Sequence, residues 1–213
     1  MVALLVALAL YAALPSTFLP ALRFTVVGLG LLLLVPILVI NPVRLRRQTS
    51  WSRRLSVGQA LLLFTANQVA VVQLIIVLLE PGGGSGGRML ASAAQVWLAN
   101  VIAVALILWE MDRGGPVIRS TLERDKLPSA DLRFPQDEDH DAIDEVAARS
   151  SQEAGWRPMF IDYLYSSLSN AMAVSSSDSM PLSTRTKALM GLEALTGYVI
   201  LALVIARAVS LLA

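Results

Sequence analysis

The sequence contains no cysteine and a single histidine, His140. Without cysteine the chain has no disulfides, no thiolate metal sites and no cysteine nucleophile. The one histidine lies in an acidic stretch, so the apolar parts of the chain have none to offer a catalytic triad. Charged residues make up 15% of the 213 residues and leave a net charge of +1, so the overall charge indicates no class of partner.

Long apolar runs dominate the remainder, and 55% of the residues are hydrophobic. A helix that spans a bilayer needs about 20 mostly apolar residues, because each adds about 1.5 Å toward about 30 Å of hydrocarbon. Four runs reach this length: residues 19–40, 55–79, 89–109 and 187–213. With a shorter apolar run at 1–14 and a polar-striped helix over 157–174, they predict an all-α integral membrane helical bundle of about six transmembrane helices. For residues 1–14, a segment lying in the membrane interface is the alternative.

The loop 41–54 carries the strongest indication of topology. It contains no acid and five arginines: Arg44, Arg46, Arg47, Arg53 and Arg54. Short cytoplasmic loops hold an excess of Lys and Arg, so this loop is predicted to be cytoplasmic. Counting spans from it predicts a multi-pass protein of the cell membrane with both termini in the cytoplasm. Residues 117–157 would then be cytoplasmic, while 82–87 and 175–183 would be outside. So short a basic loop between two spans does not indicate a nucleic-acid partner.

Three regions follow from this pattern. Residues 1–110 are predicted to form a four-helix membrane region, 111–157 a soluble acidic cytoplasmic loop, and 158–213 a helical hairpin. The acidic loop places carboxylates on both sides of His140, but their spacing matches no calcium loop. We therefore expect a solvated acidic loop, with no metal and no cofactor.

The hairpin carries the polar residues of most interest. Asp162, Ser166, Ser169 and Asn170 lie at offsets of 0, 4, 7 and 8, which places them on one face of a helix. In lipid such a stripe is expected to face protein or water. The last helix carries Glu193, for which Asn67, Gln68 and Asn100 are candidate partners, and it has Gly191 and Gly197, which would allow a neighbouring helix to approach closely.

The order of motifs in this hairpin resembles the pore module of two-helix potassium channels. Phe160-Ile-Asp-Tyr-Leu-Tyr-Ser-Ser-Leu-Ser-Asn is followed by Asp178-x-x-Pro and then by an apolar helix. The resemblance implies a pore helix, a filter segment and an inner helix. Of the filter residues only Val174 and Asp178 agree, and Ser175, Ser176 and Ser177 replace the glycine-containing part. Since filter glycines allow successive carbonyls to face the ion, we expect no strong potassium selectivity.

The chain as a whole, including Trp97-Leu-Ala-Asn and Trp109-Glu-Met-Asp-Arg-Gly-Gly-Pro, also resembles a family of uncharacterised bacterial multi-span membrane proteins. That resemblance implies a membrane location and a helical architecture, and it brings no known activity.

The sequence therefore suggests an integral membrane protein with a degenerate ion-channel-like pore and weakly selective cation conduction. The candidate ion-pathway residues are Asp162, Ser166, Ser169, Asn170, Ser175, Ser176, Ser177, Asp178 and Glu193. The alternative is a non-conducting structural or accessory membrane subunit. An enzyme is not expected, because no paired carboxylates or activated nucleophile lie in the apolar runs. The expected partners are the lipid bilayer and either further copies of the chain or another membrane subunit.

Overall fold

The computed structural model describes residues 2–15, 19–40, 50–79, 86–138, 141–172 and 178–210. The chain is about 79% helical, which confirms a predominantly α-helical fold. The α-helices in these ranges are α1 (Val2–Ala12), α2 (Pro20–Ile40), α3 (Ser50–Leu79), α4 (Gly86–Met111), α5 (Pro116–Thr121), α6 (Asp144–Ala147), α7 (Phe160–Ala171) and α8 (Thr184–Ser210). Two short strands, β1 (Leu132–Arg133) and β2 (Met180–Pro181), pair with each other, a feature that the sequence did not predict.

Three helices are long and apolar enough to cross a membrane, over Trp51–Leu79, Gly86–Gly114 and Thr184–Ser210. This agrees with a membrane location. Two further apolar helices, over Val2–Ala12 and Pro20–Pro36, are shorter. The predicted count of about six transmembrane helices is not confirmed. In particular α7 has 12 residues, which at about 1.5 Å per residue is far short of the roughly 30 Å of a bilayer core.

Helix α4 forms the centre of the bundle and packs against α1, α3, α7 and α8. Val96, Val104 and Ala105 are fully enclosed. Alanine and serine recur through its first half, and such small side chains let neighbouring backbones approach closely. Every residue from Ala99 to Leu108 is buried, and this enclosed part of α4 is apolar on nearly all sides, with Asn100 as its polar residue.

The core clusters fix the direction in which each helix runs. Leu4, Leu34 and Ile107 pack together near the end of α4, which we call the Asp112 end of the bundle. Leu14, Val26, Leu78, Met89 and Ile200 pack together at the other end, which we call the Met89 end. Helices α1, α3 and α8 therefore run from the Asp112 end toward the Met89 end, and α2 and α4 run back.

The strand pair corrects the predicted relation of two loops. Leu132 pairs with Pro181, and Arg133 pairs with Met180. The described part of the turn, 178–183, thus lies at the Asp112 end beside residues of the 117–157 loop, and the prediction that these segments lie on opposite sides of the membrane is wrong. The prediction failed because it counted 157–174 as a crossing, whereas α7 is too short to cross. The first and last described residues consequently lie at opposite ends of the bundle, unlike the predicted placement of both termini on one side.

Candidate functional site: the α7–α8 hairpin and the Asp112 network

Helix α7 begins at the Asp112 end because its own first turn caps it. The Met159 backbone N–H donates to Asp162 Oδ2 at 2.7 Å, and the Asp162 N–H donates to the Met159 carbonyl at 3.0 Å. A carboxylate in this position also interacts favourably with the helix dipole. Asp162, a predicted ion-pathway residue, is therefore a half-buried helix-capping residue in this structure.

From there α7 runs antiparallel to α4 into the bundle. The Tyr163 hydroxyl donates to Asp112 Oδ2 at 2.5 Å, and the Ser167 hydroxyl contacts the Val101 carbonyl at 2.8 Å. Near the end of α7, Trp97 Nε1 donates to the Ala171 carbonyl at 3.4 Å. Successive residues along α7 thus contact successively earlier residues of α4, so α7 extends toward the Met89 end.

After α7 the chain returns to the end from which it came. The Ser179 hydroxyl lies 2.8 Å from that of Ser166, and β2 follows directly. Asp178 is exposed. The proposed filter positions Ser175, Ser176 and Ser177 fall outside the described residues. The described flanks establish a helix that enters and a chain that leaves at one end of the bundle.

Glu193 is the most deeply enclosed of the predicted site residues, with no exposed surface. Asn170 Nδ2 donates to Glu193 Oε2 at 2.7 Å and to the Met190 carbonyl at 2.8 Å, and the Ser167 hydroxyl contacts Glu193 Oε1. The predicted contact between the polar stripe and the last helix is therefore present through Asn170. Ser169 is half-buried on α7.

The partners suggested for Glu193 are used elsewhere. Asn67 Nδ2 and Gln68 Nε2 donate to Asn100 Oδ1 at 3.0 and 2.9 Å, which joins α3 to α4. These amides stabilise helix packing, one of the two roles that polar groups in a membrane helix can take.

A second polar cluster, which we call the Asp112 network, lies where α4 ends. Asp112 is fully buried, and its Oδ1 accepts from the backbone N–H groups of Asp131 and Leu132 at 2.7 and 3.2 Å. Its Oδ2 accepts from Tyr163 at 2.5 Å and from Arg113 Nη1 at 3.1 Å. One carboxylate therefore ties α4, α7 and the 131–132 backbone together.

The backbone of Arg113 adopts a left-handed conformation that directs its side chain toward two aspartates. Arg113 has φ 48° and ψ 35°, and Gly114 follows at φ 80°. A left-handed arginine is uncommon and needs surrounding contacts to hold it. Those contacts are Asp112 and Asp137, whose Oδ2 lies 2.6 Å from Arg113 Nη2.

Arg119 closes the end of α4. It donates to the Asp112 and Trp109 carbonyls at 2.5 and 2.9 Å, which satisfies acceptors that the helix leaves open. Its guanidinium carbon lies 4.5 Å from the centre of the Trp109 ring and 5.0 Å from that of Tyr163. Burial lowers the pKa of Arg119, although an arginine stays protonated at neutral pH.

Asp131 anchors the start of α8. Its carboxylate accepts two bonds from Arg185, at 2.9 Å from Nε and 2.5 Å from Nη2. Burial acts to raise the pKa of Asp131, but the hydrogen bonds from Arg185 and Ser183 and the charge of Arg185 outweigh it, so the pKa lies below its usual value. The stability from this pair is present above the unfolded-state pKa and is lost as the pH falls through the folded-state pKa.

Sequence patterns gave only a partial indication of the Asp112 network. The predicted apolar run 89–109 ends within two residues of the end of α4, but the central role of Asp112 was missed. Tyr163 stood in the Asp-Tyr-Leu-Tyr motif without an assigned role. The 111–157 segment is also more than a solvated acidic loop, since Leu132 and Phe134 are buried against Tyr163 and Met190. Among the described residues no group of three or more acidic or histidine side chains is placed to hold a metal.

No protein family model matches the chain, and comparisons with curated proteins and with solved structures found no match.

Proposed function

We propose that this chain is an integral membrane protein whose α7–α8 hairpin forms a degenerate ion-channel-like module with weakly selective cation conduction. The observation that carries the proposal is the path of the chain, in which a short helix enters the bundle, the chain returns to the same end, and a long helix then crosses. The same order of pore helix, return segment and inner helix is what the resemblance to two-helix potassium channels implies.

The accompanying topology has four crossings, by α2, α3, α4 and α8, and one re-entrant helix, α7. Helix α1 has 11 residues and, like α7, is too short to count as a crossing. The arginine loop precedes α3, whose first residues lie at the Asp112 end, so that end is assigned to the cytoplasm. Residues 112–157 are then cytoplasmic, the start of α1 faces the same side, and the carboxy terminus is outside. In this arrangement α7 enters from the cytoplasmic side, whereas the pore helix of a potassium channel enters from outside.

Single-cysteine labelling tests this topology directly, because the chain has no cysteine of its own. We expect Ser129→Cys and Leu182→Cys, both at exposed positions of the Asp112 end, to react with an impermeant maleimide in inverted membrane vesicles. Gly87→Cys and Ser210→Cys should react in right-side-out vesicles. If Ser129→Cys and Leu182→Cys react from opposite sides, α7 crosses the membrane and the re-entrant module is excluded.

Several copies of the hairpin are needed to enclose a path. Leu195, Tyr198 and Leu201 of α8 are exposed in the single chain, so this face is free to meet lipid or further copies. We propose a homo-oligomer in which return segments from several chains surround an axis. Asp178 then supplies negative charge at the mouth and the serines supply hydroxyl oxygens to the ion.

Conduction is tested with purified protein in planar bilayers. We expect cation currents with similar potassium and sodium permeability, because the filter glycines are absent. Asp178→Asn should reduce the cation current several-fold, while Asp125→Asn, which neutralises an exposed acid elsewhere at the Asp112 end, should not. Sharp potassium selectivity would contradict the argument from the filter, and no current under any cation gradient would exclude conduction.

A non-conducting structural or accessory subunit is the second candidate, and Glu193 favours it. The Ser167 hydroxyl has one hydrogen but contacts two acceptor oxygens, those of Val101 and Glu193. Both contacts are satisfied together when Glu193 itself carries a proton and donates to Ser167. A neutral, fully enclosed Glu193 would join α7 to α8 rather than attract cations.

A further inference from the structure

An arginine-lined pocket lies at the Asp112 end, outside the hairpin module. Its wall contains four arginines, Arg113, Arg119, Arg124 and Arg157, together with Leu127 and Pro128. They come from four separate parts of the chain: the end of α4, α5, the turn at 124–126 and the segment before α7. The fold therefore brings together cations that are distant in sequence, and arginine is the side chain best suited to bind oxyanions through paired N–H groups.

Among the described residues, the acids found in contact with these arginines do not balance their charge. Arg113 and Arg124 share Asp137, with oxygen–nitrogen distances of 2.6 and 2.7 Å, and Arg113 also contacts Asp112. Arg119 and Arg157 donate to backbone carbonyls, which carry no net charge.

Two carboxylates thus face four guanidinium groups. Glu110 also interacts electrostatically with Arg119. Even when this third acid is counted as charged, these contacts within the described residues leave one positive charge unbalanced. A surplus of positive charge in a concave, partly buried site attracts anions.

A buried donor group of Arg119 gives a second, more specific indication of a ligand. Only 2% of its surface is exposed, and its Nε is buried without a hydrogen-bond acceptor among the described residues. Leaving a buried charged donor unsatisfied is costly, so such groups in native proteins usually meet an ion, a water or a ligand.

The volume and position of the pocket restrict the class of ligand that it can bind. The pocket has a volume of about 140 Å³, room for a few water-sized groups of about 30 Å³ each. It is smaller than the roughly 300–1,000 Å³ of sites for drug-sized ligands. It also lies just beyond the span that ends at Gly114. Leu122 and Met159, each two residues from a lining arginine in the sequence, are exposed apolar side chains. Basic pockets at the cytoplasmic ends of membrane helices are suited to lipid phosphates.

We propose that this pocket binds a phosphate group, held by Arg119, Arg124 and Arg157, from either an anionic lipid headgroup or free phosphate. The site is independent of whether the hairpin conducts. Bound phosphate would neutralise the surplus charge and join α5 to the entry of α7. It would therefore stabilise the folded Asp112 end.

The test uses the full-length protein in two arms. In the first, native mass spectrometry of protein released from nanodiscs measures retained phosphatidylglycerol against phosphatidylcholine. In the second, the unfolding temperature of delipidated protein is measured in millimolar inorganic phosphate and in chloride of equal ionic strength. Retention of phosphatidylglycerol without an effect of phosphate identifies a headgroup site, and protection by phosphate identifies a site for the free ion. No preference in either arm overturns the proposal.

Variants locate the binding. Arg124→Gln and Arg157→Gln should each weaken phosphate or headgroup binding at least about ten-fold, because each removes a charge-assisted contact. Arg157→Lys should restore part of the binding, since it keeps the charge but loses the paired donors. Arg149→Gln, at an exposed arginine of the same segment, is the matched control and should bind like the unaltered protein. Equal loss in Arg149→Gln, or full binding in the Arg124→Gln/Arg157→Gln double variant, would show that binding is not in this pocket.

Discussion

Replacement of Asp112 by alanine is expected to lower the free energy of unfolding by about 3–5 kcal/mol, the usual cost of removing one partner from a buried ion pair. The carboxylate accepts from two backbone N–H groups, from Tyr163 and from Arg113, and all of these lie in the interior. After substitution the two N–H groups and the Arg113 charge lose an acceptor where water has little access. The measurement is a chemical or thermal unfolding curve of the purified protein in detergent.

Graded variants separate the role of the carboxylate from a general loss of charge. Tyr163→Phe removes one of the four donors and should cost about 1–3 kcal/mol. Asp125→Ala removes an exposed carboxylate near the same end and should leave stability unchanged. If Asp112→Ala unfolds like Asp125→Ala, the Asp112 network does not stabilise the fold.

The long apolar helices could be predicted from sequence because the length of an apolar run can be compared directly with the thickness of the bilayer. Helices α3, α4 and α8 correspond to the apolar runs at 55–79, 89–109 and 187–213. Their helical character follows from the need to satisfy every backbone hydrogen bond within the segment in lipid. The predicted fold class depended on this physical constraint alone.

The return of the chain to the Asp112 end after α7 could not be predicted in the same way. Its length depends on where the chain turns, and that is fixed by the Asp162 cap at one end and by the pairing of β2 with β1 after the return. The first is a local contact, but the second joins residues almost 50 positions apart in the sequence. Periodicity within 157–174 could predict which side chains share a face of the helix, and the expected contact of that face with the last helix is present at Asn170. It could not indicate how far the helix extends.

The Asp112 network shows a similar limit. An aspartate next to an arginine after an apolar helix is the ordinary pattern of a helix that ends in water. Its burial depends on Leu132 and Phe134 folding back over Tyr163, which are contacts between distant segments. Composition identified the 111–157 segment as soluble because its charges outnumber its apolar residues, and the few apolar residues that attach it to the bundle were not apparent.

For the two glycines of α8, the predicted close approach of a neighbouring helix can be compared with distances in the structure. Both were predicted to permit close approach of a neighbouring helix. A Cβ added at Gly197 would lie 2.1 Å from the Ala171 carbonyl oxygen and 3.0 Å from its carbon, whereas one added at Gly191 would meet nothing within 4 Å. The prediction is therefore confirmed for Gly197, whereas Gly191 is exposed and no helix of the single chain approaches it.

Alanine at these two positions is expected to change stability in opposite directions. In Gly197→Ala the new methyl group meets backbone, which cannot rotate away, so α7 and α8 must separate at a cost of about 1–3 kcal/mol. In Gly191→Ala no contact is disturbed, and the better helix propensity of alanine should add up to about 1 kcal/mol. Unfolding curves of both variants, measured with the same detergent and protein concentration, give the comparison.

Which of the two alanine variants is less stable shows whether packing at Gly197 holds the end of α7 in place. Ala171 is the last residue of α7, and its carbonyl also accepts from Trp97, so Gly197 and Trp97 contact it from α8 and α4. A Gly197→Ala protein that is less stable than Gly191→Ala, and that also loses cation current in bilayers, would tie this backbone contact to the hairpin module. Equal stability of the two variants would mean that α7 does not pack against α8 at Gly197, and this backbone contact could then not be what holds the end of α7.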